Sequence, residues 1–260
     1  MPRALWTGAS GMIAQQTNVD VIANNIANVN TTGFKKQRAS FQDLFYDVKV
    51  VPGTRAADQG RNPTGTQVGT GVRLAATPRI FTPGSVEQTG GDTDMAIEGD
   101  GFFRVTMPDG SFSYTRAGDF RIDSDGFLVT PEGYFLSPQI TIPDQAQQVA
   151  ISPTGEVTAM VNGTQTAVGT LSLFRFRNNA GLIGLGSNLL QESPASGAAS
   201  EGAPGTPGYG IVRQRALEKA NVEVVTELVD LITAQRAFET NSKSIKTADE
   251  MLSTANQIVR

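Results

Sequence analysis

The chain has 260 residues, 39% of them hydrophobic, so it is long enough for one large domain or two modest ones with a real core. It contains no cysteine and no histidine, which excludes disulfides, thiolate metal sites, cysteine nucleophiles and the commonest general base. The net charge of −4 hides a gradient, from a net +5 over residues 35–80 to a net −9 over 81–160, and so acidic a centre argues against nucleic acid as a partner.

Residues 4–29 are expected to form a helix, with Gly8, Gly11 and the asparagines as its weak points. Leu5, Met12, Val19 and Ile26 stand seven residues apart along it, the apolar period of helices that wind around other helices. Its polar positions are amides and hydroxyls, Gln15, Gln16, Thr17, Asn18, Asn24, Asn25 and Asn28, with hardly a charge among them. Uncharged amides can hydrogen-bond in a crowded interface without the cost of burying an ion. The helix is therefore expected to be surrounded by protein, either within its own monomer or among sister molecules. Asn30-Thr31-Thr32-Gly33 is expected to stop it, with Gly33 in a left-handed C-terminal position. Phe34-Lys35-Lys36 then leads through Phe41, Leu44, Phe45 and Tyr46 into residues 52–71, which read as one long loop rich in Pro-Gly and Gly-Thr-Gly turns. An ordered loop of that length is usually functional or ordered by a partner.

From 72 to about 190 the pattern is β. Strands are expected at 79–86, 95–97, 102–107, 112–115, 120–122, 148–152, 156–161, 166–173 and 172–177, the last two as one strand or two. Asp100-Gly101, Asp109-Gly110 and Asp125-Gly126 are read as hairpin turns. Residues 194–210 look like a flexible return, and 213–220 like a short extended or helical approach. A second long helix is expected over 222–259. Its seven-spaced column is Val224, Leu231, Phe238, Ile245, Leu252 and Val259, with Ala234, Ala248 and Ala255 beside it to admit a close neighbour. Glu239–Lys243 and Lys246–Glu250 are spaced for helical ion pairs.

The expected fold class is thus α+β, with a central all-β domain inserted between two terminal helices that form a coiled-coil-like axial domain. The axial domain would comprise 1–33 and 218–260. A connecting segment of 34–75 and 205–217 would carry the extended loop at about 46–71, and 76–204 would form the β-rich outer domain. No run of eighteen apolar residues is present for a membrane span, and the polar start after Pro2-Arg3 lacks a signal-peptide core. Cytoplasmic residence and export without a cleaved signal both stay open.

Chemistry-bearing motifs are sparse. Asp123-Ser124-Asp125-Gly126 opens like a calcium loop, but its twelfth position is Tyr134 where a Glu is needed, and a hairpin turn explains it better. Gly181-Leu182-Ile183-Gly184-Leu185-Gly186 has no following Lys and reads as a loop between strands. Asp92, Asp94, Glu98 and Asp100 could supply a carboxylate pair for glycoside cleavage, but nothing in the pattern holds two at a working distance. No catalytic, cofactor or metal residues are assigned.

Two stretches carry a specific resemblance. Asn24-Asn25-Ile26-Ala27-Asn28-Val29-Asn30-Thr31-Thr32-Gly33-Phe34-Lys35 resembles the N-terminal signature of the bacterial flagellar rod and hook proteins, which more often have Leu at position 26. Gln235-Arg236-Ala237-Phe238-Glu239-Thr240-Asn241 with Thr247-Ala248-Asp249-Glu250-Met251-Leu252 is similar to that family's C-terminal end. Gly99-Asp100-Gly101-Phe102-Phe103 and Tyr114-Thr115-Arg116-Ala117-Gly118-Asp119-Phe120 look like its central β domain. The length, with the stretch after Phe45-Tyr46, is most like the distal-rod members; proximal rod and hook members are the alternatives within the family. The resemblance implies a non-enzymatic subunit exported by the flagellar type III apparatus. It implies polymerisation into a hollow helical shaft that passes torque from motor to hook. The implied partners are further copies of the chain, neighbouring proximal rod and hook-family subunits, and the ring bushing of the periplasm and outer membrane. Outside the family, a cell-wall-acting enzyme leaves the terminal heptads unexplained, and a secreted β-rich oligomeric binding module predicts a small closed oligomer in place of open-ended growth.

Overall fold

The structure, a computed structural model of the chain, describes residues 2–53 and 63–258. It divides into two compact units. The first gathers Met1–Ile26, Gln37–Pro78 and Val224–Arg260, and the second Ala27–Lys36 and Arg79–Glu223. The 34–75 connecting segment is therefore shared, residues 34–36 going with the β-rich unit and the remainder with the helices.

In the first unit, helix α1 spans Pro2–Ala27 and helix α2 spans Val224–Ile258, and they pack against each other. The pairing is antiparallel: Gly8 lies against Ile245, Gly11 against Asn241, and Asn25 near the end of α1 bonds Glu227 at the start of α2. This accounts for two residues that weaken α1 as a helix. A Cβ at Gly8 would stand 2.8 Å from Ile245 Cγ1, and one at Gly11 would stand 2.9 Å from the Asn241 amide. Their bare backbone is the space into which α2 fits. Two hairpin-like pairs complete the unit. Ser40–Asp43 runs antiparallel to Val72–Ala76, and Tyr46–Val50 runs antiparallel to Thr66–Gly69. The stretch expected to be loop from about 46 to 71 thus contains a two-stranded ladder. Turn-forming glycines at its ends masked the β-branched alternation of Val48, Val50, Thr66 and Val68. The middle of that stretch, 54–62, and Val259 of the seven-spaced column lie outside the described residues.

The second unit is built on a seven-stranded sheet. Its order is Ile183–Gly186, Leu189–Gln191, Phe112–Thr115, Phe103–Thr106, Phe135–Ser137, Leu128–Val129 and Arg121–Ile122. A three-stranded sheet of Ala146–Ile151, Glu156–Val161 and Thr164–Thr170 packs with it around one core. Phe103 and Phe120 meet edge to face in that core with centroids 5.2 Å apart, among Met95, Ile97, Leu128, Leu136, Val157 and Leu173. A smaller aromatic cluster gathers Phe102, Tyr114, Phe174 and Phe176.

Several expected elements shift. Residues 79–85 form no strand beyond an isolated bridge at Arg79, and Pro83 has no N–H to give a ladder; the strand there is the short Val86–Gln88. Asp109-Gly110 and Asp125-Gly126 do turn hairpins. Asp100-Gly101 does not, since Met95–Glu98 pairs with Ile211–Gln214 far along the chain. The glycine-rich 181–186 ends in an edge strand, not a loop. The expected return at 194–210 contains Ser200–Gly202, paired with Leu173–Arg175. Thr164–Thr170 and Leu173–Arg175 are two strands in different sheets. The carboxylates considered for glycoside cleavage serve local structure: Asp92 pairs with Arg215, Glu98 with Arg213, and Asp94 accepts from the Thr89 hydroxyl.

Phe120→Ala removes a buried ring and its edge-to-face partner. It should lower the stability of the β-rich unit by about 3–5 kcal/mol. Denaturant unfolding followed by tyrosine near-UV circular dichroism checks this, since Tyr114, Tyr134 and Tyr209 all lie in that unit; a loss under about 1 kcal/mol would contradict the assigned core.

Candidate assembly surface

The two helices present more apolar surface than their pairing covers. The seven-spaced column sits at the edge of the seam: Leu5, Met12, Val19, Ile26, Leu231, Ile245 and Leu252 are half-buried, while Val224 and Phe238 are exposed. The fully buried seam is made by Ala14, Val21 and Ile22 of α1 with Ala234 and Ala248 of α2. Ala255, expected to share that role, is exposed. Small residues dominate the seam because two backbones approach closely there.

One position on from the first column runs a second that faces outward. Trp6 and Ile13 on α1 are 75% and 68% exposed. On α2, Val225, Leu228, Val229 and Ile232 are all exposed and stand at i, i+3, i+4 and i+7, a complete apolar stripe of a helix. Sequence reasoning passed over this stripe because the six-fold column beside it is longer, although the 225–232 spacing was visible in the chain. The β ladder of the same unit adds Phe45, 92% exposed, with Tyr46, Val48, Val51 and Val68. Apolar surface on this scale is what interaction sites show.

The N-terminal signature does something different from forming the stripe. Asn25 is buried and closes a reciprocal pair with the Gln37 backbone: the Gln37 N–H donates to Asn25 Oδ1 at 2.9 Å, and Asn25 Nδ2 donates to the Gln37 carbonyl at 2.9 Å. Asn25 Nδ2 also donates to Glu227 Oε2 at 3.1 Å, which ties the two helices together at that end. Glu227, in the first turn of α2, suits the positive end of that helix. Asn24 and Asn30 are exposed, and Asn28, Thr31, Thr32 and Phe34 are half-buried. Gln235 and Arg236 of the C-terminal signature are exposed on α2.

Past the helix, the rest of the signature belongs to the β-rich unit. Gly33 does not cap α1, which ends at Ala27. With φ at +70° it brings the backbone so close to Arg116 and Ala117 that a Cβ would lie 2.4 Å from the Ala117 nitrogen. Lys35 is buried and donates to Glu218 Oε1 at 2.6 Å and to the Thr82 carbonyl at 2.8 Å. Burial pulls the Lys35 pKa below its ordinary value despite the favourable pull of Glu218, with Arg116 adding to the depression. Arg116, buried beside them, has its pKa lowered by the same loss of solvent, opposed by Glu218 and Asp100.

Comparison with known proteins matches this arrangement along the whole chain. Residues 5–35 match the flagella basal body rod protein model, 96–159 the flagellar hook protein FlgE/F/G D1 domain, and 213–258 the flagellar basal body rod FlgEFG protein C-terminal model. The flagellar basal-body rod protein FlgG of Borreliella burgdorferi is 49% identical over all of both chains. That of Agrobacterium fabrum is 50% identical over 96% of this chain and 97% of its own, and that of Bacillus subtilis is 40% identical over 97% of each. The chain belongs to the FlgG family of flagellar basal-body rod proteins. The hook protein FlgE of Helicobacter mustelae, at 45% identity, aligns with only 52% of this chain and 30% of its own. For a FlgG-family chain, the signature residues 24–35 divide their work: Asn25 staples the helix pair, and Gly33 and Lys35 seat the chain in the β-rich unit.

Asn25→Asp places a second carboxylate beside Glu227. At pH 7 it should cost about 2–4 kcal/mol, because like charges meet where a donor stood. The repulsion raises the folded-state pKa of the pair, so the penalty is largest at neutral pH and shrinks as pH falls through that raised value. Thermal melts of variant and parent at pH 7 and pH 4.5 check this; a melting difference that does not narrow in acid would contradict the contact.

Proposed function

We propose that this chain is a structural subunit of the flagellar distal rod, polymerising with further copies into a rigid hollow shaft that transmits torque from motor to hook. The observation that carries the reading is the outward stripe Val225, Leu228, Val229 and Ile232 on a chain alike from end to end to rod proteins. Such a stripe gains about 1.5–3 kcal/mol per large side chain when a neighbour covers it. A neighbour that repeats the same contact head to tail grows into an open filament wherever the rotation between copies does not close a ring. In this reading Leu5, Met12, Val19, Ile26, Val224, Leu231, Phe238, Ile245, Leu252 and Val259 form the axial packing column, the half-buried ones shared between their own helix pair and the next copy.

The shaft would cross the periplasm after export without a cleaved signal, among proximal rod and hook-family subunits and inside the ring bushing. A role with no catalysis and no cofactor fits a family of structural proteins. Hook membership is the weaker alternative, because the hook relative aligns with about half of this chain whereas the rod relatives align throughout. The exposed residues Phe45, Tyr46, Val48, Val51 and Val68 would add a second lateral contact that stiffens the shaft.

Electron microscopy of the concentrated protein tests the assembly: long filaments are expected, and closed rings or no growth would overturn it. Leu228→Asp and Val229→Asp should raise the concentration needed for filament growth by about 10- to 100-fold while leaving helical circular dichroism unchanged. Replacing the exposed Phe45, Val48 and Val68 by serine should lower filament bending stiffness at least twofold by thermal-fluctuation analysis, and an unchanged stiffness would remove the assigned role of this apolar patch.

A further inference from the structure

The chain passes between its two compact units four times, after residues 26, 36, 78 and 223. The first two passages bracket a short excursion, Ala27–Lys36, that leaves the helical unit, seats in the β-rich unit and returns. This segment contains turns but no strand of its own. No sheet ladder holds it, so individual contacts must.

Those contacts converge on one acid. The Glu218 carbonyl accepts from the Gly33 N–H at 2.8 Å, and its Oε1 accepts from Lys35 Nζ and from the Gly84 N–H at 2.6 and 2.9 Å. Arg116 approaches Oε2 at 3.6 Å and is itself aimed by the Ile97 and Gly99 carbonyls. Asn221, three residues on, accepts from the Lys36 N–H at 2.8 Å and donates to the Ile80 carbonyl at 2.8 Å, while the Ile80 N–H donates to the Lys36 carbonyl. Asn188 donates to the Thr32 carbonyl at 3.0 Å. Lys35, Arg116 and Glu218 are all at least 96% buried, and two cations share one carboxylate. Arg116 Nε and Glu218 Oε2 have no hydrogen-bond partner among the described residues. A buried pair of this kind gives little net stability but is costly to break from one side, so it fixes position more than it adds strength.

We propose that Ala27–Lys36 is a strap seated by a catch, with Glu218 as the catch and Lys35 as the bolt, and that the strap can release while the core of the β-rich unit stays folded. Glu218 and Asn221 are positioning residues for the strap. Tension applied along the chain is met by individual contacts, at Thr32 and Gly33 from one end and at Lys36 from the other, with the buried Lys35–Glu218 pair between them. The strap is a property of the single chain and holds or fails irrespective of how the copies assemble.

Hydrogen exchange of the full chain in dilute solution separates a strap from ordinary core stabilisation. In Glu218→Gln the amides of Gly33, Lys36 and Ile80 should exchange at least tenfold faster, while Val105 and Leu136 in the core sheet exchange as in the parent. Equal acceleration at all five amides would show that Glu218 serves only overall stability, and unchanged exchange at Gly33 and Lys36 would show that it is no catch; either result overturns the proposal. Asn221→Ala, which touches no buried charge, and Lys35→Met give the same reading if Glu218→Gln fails to fold. Both should loosen the strap amides selectively, and uniform or absent acceleration in both would sink the strap.

Discussion

The antiparallel pairing of α1 with α2 is the constraint to which the rest of the molecule answers. Because the two ends of the chain lie together, everything between them is an excursion that must begin and finish at the helices. Close approach is made possible by Gly8 and Gly11 on one side and by Ala234 and Ala248 on the other, and it is locked at one end by Asn25 and Glu227. Pairing uses small residues with Val21, Ile22, Ile245 and the Asn25 and Asn241 amides, and leaves a further set of large apolar side chains exposed. A monomer that spends its small residues on itself and keeps Trp6, Ile13, Val225, Leu228, Val229 and Ile232 for others is suited to building a polymer.

The near absence of charge on α1 follows from the same constraint. A lysine or glutamate in the seam would have to be desolvated against a partner only a backbone away, whereas an asparagine can satisfy both its donor and its acceptor locally. Asn25 does so with the Gln37 backbone and Glu227. Charge is buried in both units: Glu227 in the helical unit is met by the Asn25 amide, whereas Lys35, Arg116 and Glu218 cluster in the β-rich unit and fix a segment that has no sheet ladder. Helix pair and strap thus each set a buried carboxylate against polar donors, the Asn25 amide in one and the Lys35 and Arg116 cations in the other, to fix a contact in one place.

Much of this was legible from one dimension. Both helices, the Asp109-Gly110 and Asp125-Gly126 hairpins and the Glu156–Val161 strand follow from local period and turn chemistry. Misreadings came where a partner far along the chain decided the outcome. Asp100-Gly101 looks like a hairpin turn, yet Met95–Glu98 is claimed by Ile211–Gln214. Ser200–Gly202 sits among Gly, Pro and Ser and becomes a strand because Leu173–Arg175 offers it an edge. At the candidate surface, the column from Leu5 to Leu252 was found, but which of its members line the seam was not, because a seven-residue period marks a stripe without saying what covers it.

The amino-acid sequence by itself determined that two long helices flank a β-rich centre, that no thiol or imidazole chemistry is available, and that both ends carry family signatures, since composition, periodicity and short motifs are local properties. Only the tertiary structure decided that Gly33 serves a close backbone approach in place of a helix cap, that Lys35 meets Glu218 across 183 positions of chain, and that the stripe from Val225 to Ile232 is left uncovered. Each of these depends on which distant segment arrives beside the residue, and local preference holds no information about that arrival.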